Sequence, residues 1–260
     1  MRVVAVRGAL IASCCAVVAA GLVIGTTQGR GAPAPTAVEM RVAEAGPTTL
    51  RSTLRSGGRE PVAAVVADAT GPSIELYSEP GVPNADRPTI DNPTAEGLPV
   101  VFEVEEERGP WLRVRVSMRP NGSEAWVRRA QVHTRTVPHR IEVRLSERRL
   151  LLHRGDRIIM EETVAIGSDR TPTPTGHFFV DGWVPLDGTG PYGSGQLSVA
   201  GFSEVLHSFG GGVGQIAIHG TNRPNRLGQA ISNGCIRMSN EAIERLVKLA
   251  PLGTPVDVVS

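Results

Sequence analysis

Hydrophobic and polar residues alternate along several short stretches between residues 61 and 134, which indicates half-buried β-strands. The clearest stretch is WLRVRV, from Trp111 to Val116. A period of two places every second side chain on the same face of a strand. The RPNGS segment that follows predicts a hairpin turn, because Asn121 and Gly122 tolerate positive φ. We therefore expect residues 61–134 to form a small β-barrel.

A second series of short strands is predicted from residue 138 to residue 260. IEVRL, LLLH and IIMEETVAIG are separated by the turn-forming segments SERR and RGDR, as in a β-meander. VGQIAIHG predicts a buried strand that ends at His219 and Gly220. After Cys235 the apolar spacing becomes helical, with Ser239 as N-cap, and TPVDVV predicts a closing strand. The fold is therefore predicted to be mainly β: a small β-barrel domain, then a β-rich domain with one helix after the cysteine.

The first 28 residues predict an export signal or a membrane anchor. Residues 8–29 carry no charge and follow two arginines. Cleavage after Ala20 and retention as an anchor both stay open, as does lipidation at Cys14, where IASC loosely resembles a lipoprotein box. Residues 29–60, rich in Gly, Pro, Ala and Arg, predict a flexible linker. We expect the rest of the chain to be exported to the cell envelope, with membrane contact only through the N-terminal segment.

Composition argues against several functional classes. The chain has 27 basic and 26 acidic residues and a net charge of +1, without the basic stripe that nucleic acids require. Nothing resembles CxxC or HExxH, so no metal site is predicted. Cys14 and Cys15 lie in the apolar N-terminal segment, which leaves Cys235 without an intrachain partner for a disulfide. Cys235 is therefore a candidate for chemistry.

Cys235 and His219 are the candidate nucleophile and base. A thiol attacks carbonyl groups as its thiolate, and imidazole is the usual neighbour that activates it. His219 ends an apolar strand beside a glycine and lies 16 residues before Cys235. Gly234 permits a sharp turn that would aim peptide amides at a substrate oxygen, as in an oxyanion hole. The alternative is a buried structural cysteine and a histidine bonded to the backbone.

The segment IHGTNRPNRLGQAISNGCIRM strongly resembles the signature of bacterial L,D-transpeptidases of the YkuD type. In that signature a strand ending in His-Gly-Thr is followed by Ser-x-Gly-Cys-x-Arg. IGSDRTPTPTGHFFV and GPYGSGQLSVAGFSEV resemble further segments of the same family, and the likeness spans residues 138–259 in consistent order. The preceding barrel resembles, more loosely, the bacterial Src-homology-type barrels of cell-wall proteins, with Trp111 and Trp126 near the usual tryptophan positions. A wall-binding module and a structural spacer both fit it.

The resemblance implies an acyltransferase that cross-links peptidoglycan stem peptides and releases D-alanine without a cofactor. It implies that Cys235 is the nucleophile and that His219 is the base, oriented by a backbone carbonyl near the His-Gly turn. It assigns loop and oxyanion support to Ser232, Asn233, Gly234 and Gly220, and substrate binding to Arg237 and Thr221. It also implies that a carbapenem, a strained β-lactam, would acylate the same thiol.

Several alternatives stay open. Many relatives carry His where this chain has Asn233, and an amide cannot relay a proton. Arg237 either holds a substrate carboxylate or braces the loop. With water as acceptor the enzyme would be an L,D-carboxypeptidase, and a non-catalytic wall-binding protein is a further alternative. Sortases place His and Cys much farther apart, and papain-like wall hydrolases place Cys before His, which disfavours both.

Overall fold

The computed structural model describes residues 63–260, so the predicted export segment at 1–28 and the linker at 29–60 lie outside the described residues. The first part of the described chain holds nine strands: β1 (Ala64–Ala69), β2 (Ser73–Glu75), β3 (Tyr77–Glu79), β4 (Val82–Pro83), β5 (Thr89–Asp91), β6 (Val101–Arg108), β7 (Trp111–Arg115), β8 (Glu124–Arg128) and β9 (Val132–Val137). Seven of them form an antiparallel sheet in the order β4-β3-β8-β7-β6-β1-β9, called here the N-terminal sheet. Strands β2 and β5 pair separately.

The alternation in WLRVRV predicts the buried face of β7 correctly. Leu112 and Val114 are fully buried, and they pack with Phe102 and other apolar residues in the core of this sheet. The turn between β7 and β8 contains Gly122 at φ +80°, as expected. Of the two residues that tolerate positive φ in this turn, Gly122 adopts it and Asn121 does not. The Asn121 side chain binds the backbone N–H and the backbone carbonyl of Phe202. No sequence pattern near Asn121 predicts this contact.

The second part of the chain holds ten strands and one α-helix: β10 (His139–Arg144), β11 (Arg149–Arg154), β12 (Arg157–Thr163), β13 (Ile166–Gly167), β14 (Gly176–Pro185), β15 (Gly195–Phe202), β16 (Gln215–His219), β17 (Ala230–Ser232), β18 (Ile236–Arg237), α1 (Asn240–Leu249) and β19 (Pro255–Val259). Eight strands form a sheet in the order β12-β11-β10-β19-β14-β15-β16-β18, called here the C-terminal sheet. Most neighbours are antiparallel, but β19 runs parallel to β10 and β18 runs parallel to β16. The mainly β fold is therefore confirmed.

Helix α1 begins where the sequence predicts it. The Ser239 side chain accepts a hydrogen bond from the Ala242 amide at 3.1 Å, which satisfies an N–H that the first turn leaves without a helical partner. Ala242, Ile243 and Leu246 are fully buried in the main core of the C-terminal sheet. The apolar face of the helix thus anchors the chain directly after β18.

The two sheets are joined by polar and apolar contacts. His177 on β14 has both ring nitrogens bonded to carboxylates, Nδ1 to Asp257 on β19 at 2.6 Å and Nε2 to Glu103 on β6 at 2.9 Å. Phe179 packs with Val66 of the N-terminal sheet in a small shared apolar cluster. Residues 63–260 belong to one compact unit. Among them, no helix has the length and apolar character needed to cross a bilayer.

Candidate active site

His219 is the last residue of β16, and its ring is held by the next residue along the chain. Nδ1 lies 2.6 Å from the carbonyl oxygen of Gly220. Because a carbonyl oxygen can only accept, Nδ1 donates, and the neutral ring presents the lone pair of Nε2. Nε2 is buried and has no hydrogen-bond partner among residues 63–260. His219 therefore offers one oriented proton acceptor.

The surroundings of His219 keep its ring neutral. Burial lowers the pKa of His219 to about 4; the bond to Gly220 opposes this shift, and the positive charge of Arg237 adds to it. The side chain is 1% exposed, and the Tyr192 ring packs against it with ring centroids 4.8 Å apart. At neutral pH the ring is thus a base ready to take a proton, not a preformed imidazolium.

Cys235 lies on the same face of the C-terminal sheet as His219. Strand β18 pairs in parallel with β16, with Ile236 opposite Ile218, and this register continues to bring Cys235 beside Ala217. Ala217 and His219 are two residues apart on one strand, so their side chains point to the same face. The Cys235 side chain is 2% exposed, and Tyr192 and Phe209 pack against it.

Three hydrogen bonds shape the turn before Cys235. Ser232 Oγ donates to the Cys235 carbonyl at 2.5 Å and accepts from the Gly234 amide at 3.1 Å. The Thr171 hydroxyl donates to the Ser232 carbonyl at 2.9 Å. Gly234 adopts φ +111°, a conformation that side-chain-bearing residues rarely take. The Ser232 hydroxyl therefore links the backbone on either side of the thiol.

The other predicted residues lie around the same turn. Arg237 is opposite His219 in the β16–β18 register, and its Nε is buried without a hydrogen-bond partner in the described chain. Asn233 lines the cleft described next. Thr221 is buried, and its hydroxyl accepts from the Arg223 amide at 3.1 Å. Gly220 supplies the carbonyl that orients His219. Their roles in substrate binding and oxyanion support stay predictions.

A shallow cleft of about 210 Å³, open to solvent, reaches this site. Its walls come from the turn before β18 and from the segment between β15 and β16, residues 203–214, called here the cleft loop. The residues that line it are Ser203, Leu206, Phe209, Gly214, Gln215, Asn233 and Cys235. The space in it that a water-sized sphere can enter is about 10 Å³, close to the volume that one water molecule needs.

Comparison with known proteins identifies the second part of the chain. A family model of the L,D-transpeptidase (YkuD) catalytic domain matches residues 138–258. A putative L,D-transpeptidase YkuD of Bacillus licheniformis is 37% identical over 123 residues, which are 47% of this chain and 67% of the relative. The chain belongs to the L,D-transpeptidase family. The putative L,D-transpeptidase YkuD of Bacillus subtilis is 34% identical over the same shares of both chains.

Solved structures of L,D-transpeptidases are also similar to this chain. One from Mycobacterium tuberculosis H37Rv aligns with 14% identity and a TM-score of 0.40, covering 55% of this chain and 75% of that chain. Another, from Enterococcus faecium, aligns with 21% identity and a TM-score of 0.37, covering 47% of this chain and 50% of that chain. The family membership predicted from the His-Gly-Thr and Ser-x-Gly-Cys-x-Arg segments is confirmed by the family model and the curated relatives. Members of this family are acyltransferases with a cysteine nucleophile.

Sequence reasoning missed two residues of this L,D-transpeptidase site. Tyr192 packs on His219 and on the cluster that contains Cys235. In the sequence, only its place in a glycine-rich loop pointed to it. Asn240 begins α1, and its Oδ1 accepts from the amides of Thr221 at 3.1 Å and Ser194 at 3.2 Å. A helix start gives no hint of such a tertiary contact. Asn240 thus links the turn after His219 to the loop that carries Tyr192.

One group in this L,D-transpeptidase chain has metal-ligand character. Glu103, Glu105 and His177 bring possible ligand atoms within 4.8 Å of one another. Both ring nitrogens of His177 are already bonded to carboxylates, and Arg115 binds Glu105. A metal ion would have to displace a proton from His177, whose pKa these carboxylates raise to about 10 against the opposing effect of burial. The group is therefore better understood as an ion-pair network between the two sheets.

Proposed function

We propose that this protein is a peptidoglycan L,D-transpeptidase in which Cys235 is the nucleophile and His219 the general base. The observation that carries the proposal is the state of His219. Its Nδ1 is committed to Gly220, while its buried Nε2 has no hydrogen-bond partner in the described chain and lies on the face that carries Cys235. A base in a thiol-dependent acyl transfer needs a fixed tautomer that leaves one ring nitrogen able to accept a proton. Here the Gly220 carbonyl fixes that tautomer, as an Asp does in other triads.

The proposed reaction has two acyl-transfer steps. His219 Nε2 takes the thiol proton as the sulfur of Cys235 attacks the carbonyl between a diamino acid residue and a terminal D-alanine. The protonated ring then gives that proton to the departing D-alanine amine, and a thioester remains on Cys235. An amine of a neighbouring stem attacks the thioester and loses a proton to His219, which returns it to the sulfur. The products are a cross-linked peptide and the regenerated thiol.

The oxyanion role is proposed for the backbone at the Gly234 turn. The Gly234 N–H already donates to Ser232 Oγ, so it serves the loop. We assign the oxyanion contact to the neighbouring Cys235 N–H, whose direction depends on the φ of +111° at Gly234. We assign Arg237 to the binding of a substrate carboxylate. Its positive charge is close enough to His219 to lower the pKa of that ring, and its buried Nε has no hydrogen-bond partner in the described chain.

Substrate entry requires the cleft loop to move. Cys235 is 2% exposed, and Phe209 of this loop packs against it. The enclosed space beside the thiol, about 10 Å³, holds about one water molecule, so a stem peptide does not fit without displacement of a wall. The loop residues Val205 and Val213 are already 50% and 60% exposed. Outward motion of the loop would therefore expose little additional apolar surface of these two residues to water. The closed loop keeps water away from the thiol until a peptide binds.

The location and the N-terminal sheet complete the proposal. We place the enzyme in the cell envelope, exported or anchored by residues 1–28. We interpret the N-terminal sheet as a barrel of the bacterial Src-homology type that binds the wall or spaces the enzyme from its anchor. Carbapenems are proposed as covalent inhibitors at Cys235, since their strained lactam carbonyl is open to attack by the same thiolate.

Two measurements with the purified full chain test this function. Intact-mass analysis after incubation with a carbapenem should show one adduct on the wild type and none on Cys235→Ala. Mass spectrometry of products from isolated disaccharide tetrapeptide should show a cross-linked dimer and free D-alanine. Release of D-alanine with only the hydrolysed tripeptide would replace transpeptidase by carboxypeptidase. Absence of both adduct and product in the wild type would refute the catalytic proposal.

A further inference from the structure

The loop between β7 and β8, residues 116–123, reaches from the N-terminal sheet to the wall of the cleft. We call it the clamp loop. Its side chains contact both strands of the β15–β16 hairpin, whose tip is the cleft loop. The chain positions involved are about 80 to 100 residues apart, so this is a tertiary contact of the fold and not a local turn.

Arg119 of the clamp loop binds both sides of the cleft loop with one nitrogen. Its Nη2 donates to the carbonyl oxygens of Leu206 at 3.1 Å and Val213 at 3.0 Å. The guanidinium also lies over the Phe202 ring, 5.2 Å from its centroid. A single half-buried side chain thereby joins the two arms of the loop that covers Cys235.

Asn121 and Ser117 fix the base of the same hairpin. The Asn121 amide donates to the Phe202 carbonyl and accepts from the Phe202 N–H, both at 2.8 Å. Ser117 Oγ and Gln215 Nε2 both donate to Asp181 Oδ2, at 2.5 and 2.7 Å. Phe202 ends β15 and Gln215 begins β16, so the two ends of the cleft loop are held at the clamp loop.

The cleft loop has few backbone bonds of its own. Ser203 N donates to Gly214 O at its base, and Phe209 and Gly212 exchange one pair of bonds at its tip. Most residues between these points are exposed. Gly214 approaches Leu206 so closely that a Cβ there would lie 1.9 Å from the Leu206 carbonyl oxygen. Inside the loop, the Ser203 hydroxyl also accepts from the amides of Val205 at 3.4 Å and Leu206 at 3.1 Å. Between the bonded pairs at the base and the tip, Arg119 bridges the two arms of the loop from outside.

We propose that Arg119 is a positioning residue of the active site: it sets the closed position of the cleft loop, and through it the N-terminal sheet controls access to Cys235. The effect of Arg119 on turnover rests on the proposed function. Its effect on the position of the cleft loop does not. An arginine suits the task, because a single terminal nitrogen carries two N–H groups that can hold two carbonyls while the guanidinium lies over the Phe202 ring.

The test compares three variants of the full chain. Arg119→Met keeps an unbranched apolar side chain at this position and removes every donor. Arg119→Lys restores the charge and a flexible donor. Arg129→Met is the matched control, because Arg129 directly follows β8 and forms an exposed ion pair with Glu107. Hydrogen exchange of amides 203–214 and the rate of Cys235 alkylation by iodoacetamide are measured for each, together with thermal unfolding.

For Arg119→Met we expect exchange in the cleft loop to be about tenfold faster, since charge-assisted hydrogen bonds to two carbonyls are lost. Alkylation of Cys235 should accelerate by a similar factor, Arg119→Lys should restore part of both effects, and the control should match the wild type. Unchanged exchange and alkylation in a folded Arg119→Met protein would overturn the proposal. If Arg119→Met does not fold, Arg119→Lys is the deciding variant. Its weaker hydrogen bonds to the cleft loop must still raise the exchange and alkylation rates above those of the wild type.

Turnover separates this inference from the proposed function. With a disaccharide tetrapeptide as donor, Arg119→Met should lower KM and change kcat less, because the loop that must move to admit the peptide is no longer held closed while Cys235 and His219 keep their places. A wild type that fails to turn over any peptide would defeat the proposed function, and the exchange and alkylation results would still decide whether Arg119 positions the loop.

Discussion

His219 Nδ1 lies 2.6 Å from the carbonyl oxygen of Gly220, its neighbour in the chain. A backbone carbonyl cannot ionise and cannot turn away, so it fixes the ring more firmly than a flexible carboxylate would. It also brings no full negative charge. Burial therefore dominates and lowers the pKa of His219 to about 4.

The first prediction concerns the titration of His219. We expect its ring protons to titrate near pH 4 in the NMR spectrum of the full chain, against an ordinary histidine value of about 6.5. Since the folded-state pKa is depressed, the unfolded chain binds the proton more readily, and this group's contribution to stability is lost as pH falls from about 6.5 to 4. His219→Gln should remove that part of the acid sensitivity. A His219 signal that titrates near 6.5 would contradict the neutral-base assignment.

The second prediction concerns Gly234, whose φ is +111°. An added Cβ would have 3.5 Å to the nearest atoms, so Gly234→Ala suffers from backbone strain and not from a clash. We expect a loss of about 1 to 3 kcal/mol in the free energy of unfolding in urea. Relief of the strain would turn the Cys235 amide, so the rate of carbapenem adduct formation should fall by about 100-fold or more.

The control for this substitution is Gly81→Ala. Gly81 has φ +86° on the N-terminal sheet and open space around its α-carbon. It should lose comparable stability and keep the adduct rate of the wild type. Equal adduct rates in the Gly234 and Gly81 variants would show that the turn before Cys235 has no part in acyl transfer.

The sequence predicts those features whose signals are local. The strand that ends at His219, the capped helix after Ser239 and the strand at 255–259 follow from short apolar periods and cap residues, and the structure contains all three. The family motif gives Cys235 and His219 together. What the sequence lacks is the set of contacts between distant segments, such as Arg119 with Leu206. Asn121 shows the difficulty, because a turn preference predicts its backbone while a distant strand decides its actual role.

The third prediction concerns Asn240, whose Oδ1 accepts from the amides of Thr221 and Ser194. Asn240→Leu removes this acceptor and releases the turn beside His219 from the loop that carries Tyr192. We expect kcat/KM for the tetrapeptide donor to fall by about 10- to 100-fold, because small displacements of a catalytic group have effects of this size. Asn240→Asp keeps the acceptor and should retain most of the activity.

A matched control exists in the N-terminal sheet. Asn84 Oδ1 also accepts from two backbone amides, those of Asp86 and Arg87. Asn84→Leu should therefore cost stability without lowering kcat/KM. If Asn240→Leu and Asn84→Leu reduce kcat/KM alike, the effect of Asn240 is a general loss of stability and not the positioning of the site.

The fourth prediction concerns His177, which bridges Asp257 and Glu103 across the two sheets. Burial opposes its protonation, but the two carboxylates outweigh burial and raise the pKa of His177 to about 10. The folded chain thus holds a proton that the unfolded chain releases near pH 6.5. The stabilisation is full below about pH 6.5 and is lost as pH rises toward 10.

The difference in Tm between the wild type and His177→Gln should accordingly be largest near pH 6.5 and should shrink steadily up to pH 10. The exposed His133 on β9 serves as control, since His133→Gln replaces a histidine on the N-terminal sheet and leaves the Asp257–His177–Glu103 bridge intact. A wild-type advantage over His177→Gln that stays constant from pH 6.5 to 10 would mean that the bridge between the sheets does not depend on the charge of His177.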